Sequence, residues 1–131
     1  MNKYGLHVGI PLKNGIIQDT PLTSMAFFLG PPQGWNISKW NEKNINNFTT
    51  TLCNCQNLDS NGIVVHGCYL INPASTREEV RIKSKKRFLD EVTLCDKLNA
   101  GNYVFHPGTH KDTHIGLTET VDLIKLGLQE T

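Results

Sequence analysis

Several features that mark other protein classes are scarce in this chain, and each absence excludes a class. No apolar run approaches the roughly 18 residues that a membrane-spanning helix needs. The cysteines include one C-x-C pair, Cys53 and Cys55, but not the repeated C-x-x-C pairs of a structural zinc site. The opening residues, MNKYGLHVGI, lack an apolar core followed by a cleavage site. These absences predict an intracellular protein, cytoplasmic or nuclear, with no signal peptide and no membrane partner.

An excess of charge of one sign is also lacking. Thirteen Lys and Arg residues balance 12 Asp and Glu residues, for a formal net charge of +1. No overall field attracts nucleic acid, so any contact with DNA must be local. The one concentrated basic stretch, REEVRIKSKKR over residues 77–87, is interpreted as the solvated face of a helix.

What the chain does contain is a repeated pattern within one domain, residues 1–131. Short apolar runs alternate with polar, helix-compatible stretches. Helices are predicted over 75–99, where Ser75 and Glu78 form a capping box, over 117–126, and more weakly over 38–58. This alternation predicts an α/β fold of parallel strands joined by right-handed crossovers. The four apolar runs are 4–10, 24–30, 62–66 and 102–106.

Two histidines close apolar runs that are one strand–helix unit apart. His66 and His106 each occupy the last position of a predicted strand, so a parallel sheet should bring them side by side. Converging neutral imidazoles favour a zinc site, which His7 and His110 could join or orient. The alternative is a set of hydrogen-bonded structural histidines, and His114 is interpreted as an exposed surface residue of a loop. Two histidines alone do not complete a catalytic zinc site, which usually has three protein ligands.

Two loops at the same predicted edge of the sheet carry candidate DNA contacts. Tyr69 follows His66 by three residues and has Leu70 beside it, so the pair could stack on or wedge between bases. The alternative is that Tyr69 only packs the loop. The loop GPPQGW, residues 30–35, follows the second strand, faces the same way and contains Gln33.

These segments together resemble endonuclease IV, the zinc-dependent apurinic/apyrimidinic (AP) endonuclease family 2, which is built on a TIM barrel. HGCYLIN resembles the family's His-x-Ser/Thr-Tyr-Leu-x-Asn motif, and FHPGTH resembles its Phe-His-Pro-Gly-Ser/Thr-His motif. YGLHVGI and FFLGPPQGW extend the resemblance over nearly the whole chain, as the first half of the family's barrel.

The resemblance assigns roles to particular residues. It implies that His66 and His106 are catalytic zinc ligands, that His7 lies near the metal cluster, and that Tyr69 and Leu70 enter the minor groove of double-stranded DNA. It also implies zinc-dependent hydrolysis of the phosphodiester 5′ to an abasic site, as in base-excision repair. The family uses up to three zinc ions for this metal-ion catalysis.

Three departures from the family pattern accompany the resemblance. Cys68 stands where the family has Ser or Thr, and Gln33 stands where it often has a groove-inserting arginine. A full barrel needs about 250 residues, whereas about four strand–helix units are present here. The family's carboxylate ligands and remaining histidines lie beyond these units. We therefore expect a half-barrel with fewer zinc ions than the full family site.

Two alternatives to an AP endonuclease stay open. One is a non-catalytic truncated remnant that binds zinc, DNA or a partner chain without turnover. The other is the related sugar-isomerase type of barrel, which shares parallel strands and metal-binding mouths. FHPGTH and the loop with Tyr69 fit DNA repair better than sugar isomerisation.

A half-barrel has two open sheet edges and an uncovered inner face, so we expect a partner, unstable behaviour in solution or a truncated gene product. The partner is either a second copy, forming a pseudo-barrel homodimer, or a missing C-terminal half. For the homodimer, size-exclusion chromatography with light scattering should give twice the chain mass of 14.7 kDa. A mass of one chain at every concentration would exclude it.

Overall fold

Four parallel strands form one sheet in the computed structural model, which describes residues 5–9, 22–37 and 39–130. The strands lie in chain order, β1-β2-β3-β4, and every neighbouring pair is parallel. The predicted α/β fold with about four strands is confirmed, while the connection over residues 11–21 lies outside the described residues. The elements are β1 Gly5–Val8, β2 Ser24–Phe28, α1 Glu42–Cys53, β3 Ile63–His66, α2 Glu78–Lys97, β4 Asn102–Val104 and α3 Thr113–Glu130.

One face of the sheet forms the core with the helices. Alternate side chains of β2 and β3 are buried there, because successive residues of a strand point to opposite faces. The ring of Phe27 lies 5.7 Å from that of Phe48 on α1 and 6.2 Å from that of Trp40. The indole Nε1 of Trp40 donates a 2.9 Å hydrogen bond to the Leu29 carbonyl, which fixes the chain just before α1. The buried residues of this cluster are Met25, Phe27, Leu29, Phe48, Leu52, Leu58, Ile63, Val65, Leu94, Cys95 and Leu98.

The other face of the sheet corresponds to the inside of a barrel. Parallel pairing places Phe28, His66 and Val104 in one row across β2, β3 and β4. His7 and Ala26 form the preceding row. Val104 is 50% exposed, so this face remains open to solvent at β4. The row of Phe28 and His66 lies at the carboxyl ends of the strands, where parallel sheets carry their functional groups.

Local hydrogen bonds set helix limits that differ from the predicted ones. The helix predicted over 38–58 is shorter, because the side chain of Asn41 caps α1 by accepting from Asn44 N. The helix predicted over 117–126 begins earlier, because Asp112 Oδ1 accepts from the first-turn N–H groups of His114 and Ile115. Such side-chain acceptors satisfy N–H groups that have no partner within the helix.

The capping box predicted at Ser75 and Glu78 is wrong in its detail. The N-cap of α2 is Arg77, which makes no side-chain cap. The Ser75 hydroxyl, two residues before this N-cap, instead accepts from Arg77 N at 3.2 Å. At the other end, Asn99 has a φ of 54° and turns the chain toward β4.

The basic stretch over residues 77–87 is only partly a solvated helix face. Arg77, Lys83 and Lys86 are exposed. Each of the two lysines forms a surface ion pair with an acidic residue four positions away on α2, Lys83 with Glu79 and Lys86 with Asp90. Arg87 is 2% exposed and Glu91 is 0% exposed, and the two form a buried pair. A buried charge is stable only with a partner of opposite sign, and Glu91 supplies it one turn later.

Helix α3 packs on α2 through a narrow contact. Leu123 is buried beside Phe88, and a Cβ at Gly127 would lie 2.7 Å from the Phe88 ring, so glycine permits the close approach. None of the helices in the described ranges is long and apolar enough to cross a bilayer. Helical spacing places four apolar residues on one side of α3, and that side is exposed: Leu117, Val121, Ile124 and Leu128.

We predict that part of the fold's stability is lost in alkaline solution through Cys95. Burial, with a smaller contribution from the charge of Glu91, raises the pKa of the Cys95 thiol from 9.0 to about 12. Because the folded state holds the neutral thiol, the stabilisation is complete below pH 9.0 and is lost as the pH rises toward the folded pKa of about 12. The free energy of unfolding in urea should therefore fall across this range, and less steeply in Cys95→Ala.

The matched control is Cys53→Ala, which removes an exposed thiol. Burial also raises the pKa of Tyr103, so the alkaline loss should shrink in Cys95→Ala without vanishing. An unchanged dependence on pH in Cys95→Ala, equal to that of the control, would contradict the prediction.

Candidate active site at the carboxyl ends of the strands

His66 is the last residue of β3, as predicted, and one hydrogen bond determines its chemistry. Its Nδ1 lies 2.8 Å from the carbonyl oxygen of Gly67. A carbonyl oxygen only accepts, so Nδ1 carries the proton and donates it. The lone pair of the neutral ring is therefore on Nε2, where it can bind a metal or accept a proton.

His106 lies beside His66, as the sequence predicts, with 5.4 Å between the ring centroids. The prediction that His106 ends its strand is wrong, because β4 stops at Val104. The strand pairing ends where Gly67 N donates 2.7 Å to the Val104 carbonyl. His106 is exposed two residues farther on, in the loop that continues through Pro107.

Aromatic rings surround the two histidines in what we call the mouth cluster: His7, Phe28, His66, Tyr69 and His106. The Tyr69 ring lies 5.2 Å from that of His66 and 5.6 Å from that of His106. The His7 ring lies 6.4 Å from His66, and Phe28 lies between them, 5.0 Å and 4.8 Å from the two imidazoles. The structure thus brings His7, His66, His106 and Tyr69 together.

A backbone hydrogen bond joins the two loops with candidate DNA contacts. Tyr69 N donates 2.8 Å to the carbonyl oxygen of Pro32, next to exposed Gln33. Tyr69 is 48% exposed, so its ring is available to a ligand. Leu70 is half-buried and packs against the cluster around Ile71, which leaves less of it free for a DNA groove.

Cys68 anchors the same pair of loops from beneath. Its side chain is buried, and Sγ lies 3.3 Å from the carbonyl oxygens of both Pro32 and Gly34. A thiol donates weakly to such acceptors, as a Ser or Thr hydroxyl would more strongly. Burial raises the pKa of the Cys68 thiol, so it acts as a packed neutral group and not as a nucleophile.

The last residue of HGCYLIN, Asn72, connects that segment to FHPGTH. Asn72 Nδ2 donates 3.2 Å to the Thr109 carbonyl, and Asn72 N donates 2.9 Å to Ser84 Oγ on α2. Gly108, in the middle of FHPGTH, has a φ of 84° and lies against Asn72. The two motifs are therefore locked together on α2, which accounts for the Asn and the Gly in them.

The remaining two histidines make other contacts. Nδ1 of His110 is engaged with the backbone of Asp112, 2.9 Å from its N and 3.0 Å from its O. His110 lines a groove of about 290 Å³ with Pro107, Thr113 and other residues at the start of α3. His114 is exposed on the first turn of α3, in agreement with its reading as a surface residue.

The side chains in the mouth cluster do not by themselves make a complete metal site. Over residues 5–9, 22–37 and 39–130, no three or more His, Cys, Asp or Glu side chains are grouped closely enough to hold an ion. His66 and His106 offer two imidazoles, whereas a catalytic zinc usually has three protein ligands. Imidazole nitrogen is a donor that zinc prefers, but two imidazoles are fewer than the three protein ligands of a catalytic zinc site.

Residues 17–130 match the family model of AP endonuclease 2, described as a xylose isomerase-like TIM barrel. The chain belongs to this family. Endonuclease IV from Thermus thermophilus shares the fold of this family member, with a TM-score of 0.77 and 21% identity. That likeness covers 96% of this chain and 47% of the Thermus chain, in agreement with a partial barrel.

Curated relatives of this family member carry endonuclease names. The apurinic-apyrimidinic endonuclease 1 of Plasmodium berghei is 34% identical over 97% of this chain and 26% of its own length. The probable endonuclease 4 of Buchnera aphidicola is 35% identical over 83% of this chain and 40% of its own length. The chain thus spans less than half the length of either relative.

The sequence reasoning missed two features of the site. Lys39 lines a groove of about 250 Å³ with Phe28, Gly30, Pro31 and Pro32, which places a cation beside the mouth cluster. The buried pair of Arg87 and Glu91 lies beneath the loop after β3. The spacing of four residues between Arg87 and Glu91 was a visible signal, but it is equally typical of a surface ion pair.

We predict that Gly108→Ala destabilises the fold. A Cβ at this position would clash with Asn72, 2.6 Å from its Cγ, and the positive φ disfavours any L side chain. The left-handed backbone alone costs about 1–2 kcal/mol, so urea denaturation should show at least that loss. Gly9→Ala is the control, because a Cβ there meets no atom of the described residues within 4 Å. Equal losses of unfolding free energy in both variants would contradict the close approach of Gly108 to Asn72.

Proposed function

We propose that this chain supplies part of the active site of an endonuclease IV-type AP endonuclease, which hydrolyses the DNA phosphodiester 5′ to an abasic site in base-excision repair. The observation that carries the proposal is the convergence of His66, His106 and Tyr69 at the carboxyl ends of β3 and β4. The names of the curated relatives, an apurinic-apyrimidinic endonuclease and a probable endonuclease 4, support the coarser part of the proposal, an AP endonuclease activity on DNA.

The surface around the mouth cluster suits a damaged duplex. Tyr69 presents a half-exposed ring that can stack on a base or fill the space that a missing base leaves. Gln33 and Lys39 lie on the adjoining loop, where an amide and an ammonium group can contact phosphate oxygens. Selectivity follows from the substrate, because an abasic nucleotide needs little unstacking to leave the helix.

Zinc dependence is part of the proposal. His66 and His106 present their imidazole rings at the carboxyl edge of the sheet, and the hydrogen bond made by Nδ1 of His66 leaves its Nε2 available to a metal. We assign both to one zinc site, to which a further polypeptide segment, in a second copy or a C-terminal half, contributes the other ligands. His7 lies near this site, with its ring 6.4 Å from that of His66 and 5.0 Å from that of Phe28.

A second candidate function is a non-catalytic remnant that binds zinc, DNA or a partner chain. The observation that favours it is the lack of a three-ligand group in the described part of the chain. The two candidates differ in one measurable property, which is chelator-sensitive turnover.

Incision of a duplex with one abasic site tests the proposal. We expect zinc-dependent nicking 5′ to the lesion that a chelator abolishes, and that His106→Ala reduces by more than the roughly 10–100-fold cost of removing an outer-shell partner of a metal ligand. His114→Ala is the matched control, since it removes an exposed histidine outside the mouth cluster. Nicking that survives the chelator and His106→Ala would reveal a contaminating nuclease. No nicking by the chain at any protein concentration would favour the remnant.

A further inference from the structure

A carboxylate buried beneath the mouth cluster joins three separate parts of the fold. Glu91 on α2 is fully buried, and its Oε1 accepts 2.9 Å from Nε of Arg87. Its Oε2 accepts 2.7 Å from the hydroxyl of Tyr103 on β4 and 3.3 Å from the backbone N–H of Cys68. One side chain therefore ties helix α2 to strand β4 and to the loop after β3.

The Cys68 end of this network leads directly to the mouth cluster. Cys68 lies between His66 and Tyr69 in the chain, one residue from Tyr69 and two from His66. Gly67 has no room for a side chain, because a Cβ would lie 2.5 Å from Tyr103 Oη. The segment from His66 to Tyr69 is thus held between the Tyr103 hydroxyl and the Glu91 carboxylate.

Burying the charged groups of Arg87 and Glu91 costs free energy, and stability alone does not explain it. Nη2 of Arg87 lies 2.8 Å from Glu91 Oε1, yet both terminal nitrogens lack a hydrogen bond of good geometry among the described residues. Buried ion pairs rarely add net stability over apolar side chains of similar size. A carboxylate here offers something that an apolar residue lacks, which is an acceptor for the N–H of Cys68.

We propose that Glu91 is a positioning residue, whose buried carboxylate orients the loop Gly67–Leu70 so that the Tyr69 ring contacts the rings of His66 and His106. The proposal deepens the proposed function and rests on it for its biological meaning. Its geometry concerns this chain alone and can be tested without turnover. Arg87 compensates the charge of Glu91, and Tyr103 donates the second hydrogen bond to Oε2.

Glutamine at position 91 is informative because of its donor. In Glu91→Gln, the amide has one accepting oxygen and one donating NH2 group. If the oxygen faces Cys68 N and Tyr103 Oη, the NH2 group faces Arg87, which has only donors. The reverse orientation places the NH2 group against the N–H of Cys68. Either orientation therefore places two hydrogen-bond donors against each other. Removing Arg87 relieves the conflict of the first orientation, in which the NH2 group faces Arg87.

Two charge-free double variants separate orientation of the loop from stability. Arg87→Met with Glu91→Gln keeps an acceptor for Cys68 N, and Arg87→Met with Glu91→Met removes it at similar volume. We expect both to fold, since apolar replacement of a buried pair is tolerated. Only the variant with glutamine should keep the native loop.

The readout is the set of NOE cross-peaks between the Tyr69 ring and the rings of His66 and His106 in the metal-free chain. We expect these cross-peaks to be lost in Glu91→Gln and in the Met/Met variant, and to return in the Met/Gln variant. Asp90→Asn is the matched control, because it makes the same chemical change in the exposed pair of Asp90 with Lys86. That variant should keep every cross-peak.

The outcomes distinguish this proposal from the function on which it rests. A Met/Met variant with the native cross-peaks would overturn the positioning role, even if Glu91→Gln lowers the free energy of unfolding. If Glu91→Gln alone does not fold, the two double variants still decide. Cross-peaks that follow the expected pattern in a chain without endonuclease activity would support the positioning of the loop and count against the proposed function.

Discussion

The parallel register of the sheet is the constraint on which the site depends. Phe28, His66 and Val104 lie in one row because β2, β3 and β4 run in the same direction without a bulge between them. This row fixes His66 at the carboxyl edge of the sheet. His106 follows Val104, the last residue of β4, by two residues, which is enough to place its ring beside that of His66. A shift of one residue in β3 would turn His66 toward the helices and bury a polar ring in the apolar core.

Periodicity and chain order were sufficient to predict the sheet, the pairing of His66 with His106, and the loop with Tyr69. They were insufficient for the helix limits, which depend on side-chain acceptors such as Asn41 and Asp112. They also failed for Arg87, since a basic run predicts exposure unless the tertiary contacts are known. The burial of Arg87 follows from Glu91, Tyr103 and Cys68 meeting at one point, and these residues come from three elements.

The site combines a complete support with two neighbouring imidazoles, fewer than the three protein ligands that a catalytic zinc usually has. Asn72, Cys68 and Glu91 fix the loops that follow β3 and β4, so the two histidines and Tyr69 are oriented before any ligand arrives. Preorganisation of this kind lowers the ordering cost that binding must overcome. The family's barrel distributes its functional groups over many strands, and the four strands here present one part of that arrangement.

The small apolar contact between α2 and α3 determines which part of the molecule unfolds first. Helix α3 touches its neighbour through Leu123 and Gly127, while Leu117, Val121 and Leu128 make no comparable burial. Regions with few buried apolar contacts open at a small fraction of the global unfolding free energy. Amide protons of α3 should therefore exchange with solvent far sooner than those of β2 and β3. The protein is then a rigid sheet with a weakly packed helix α3. A surface that covers α3 would make the helix and the sheet unfold as one unit.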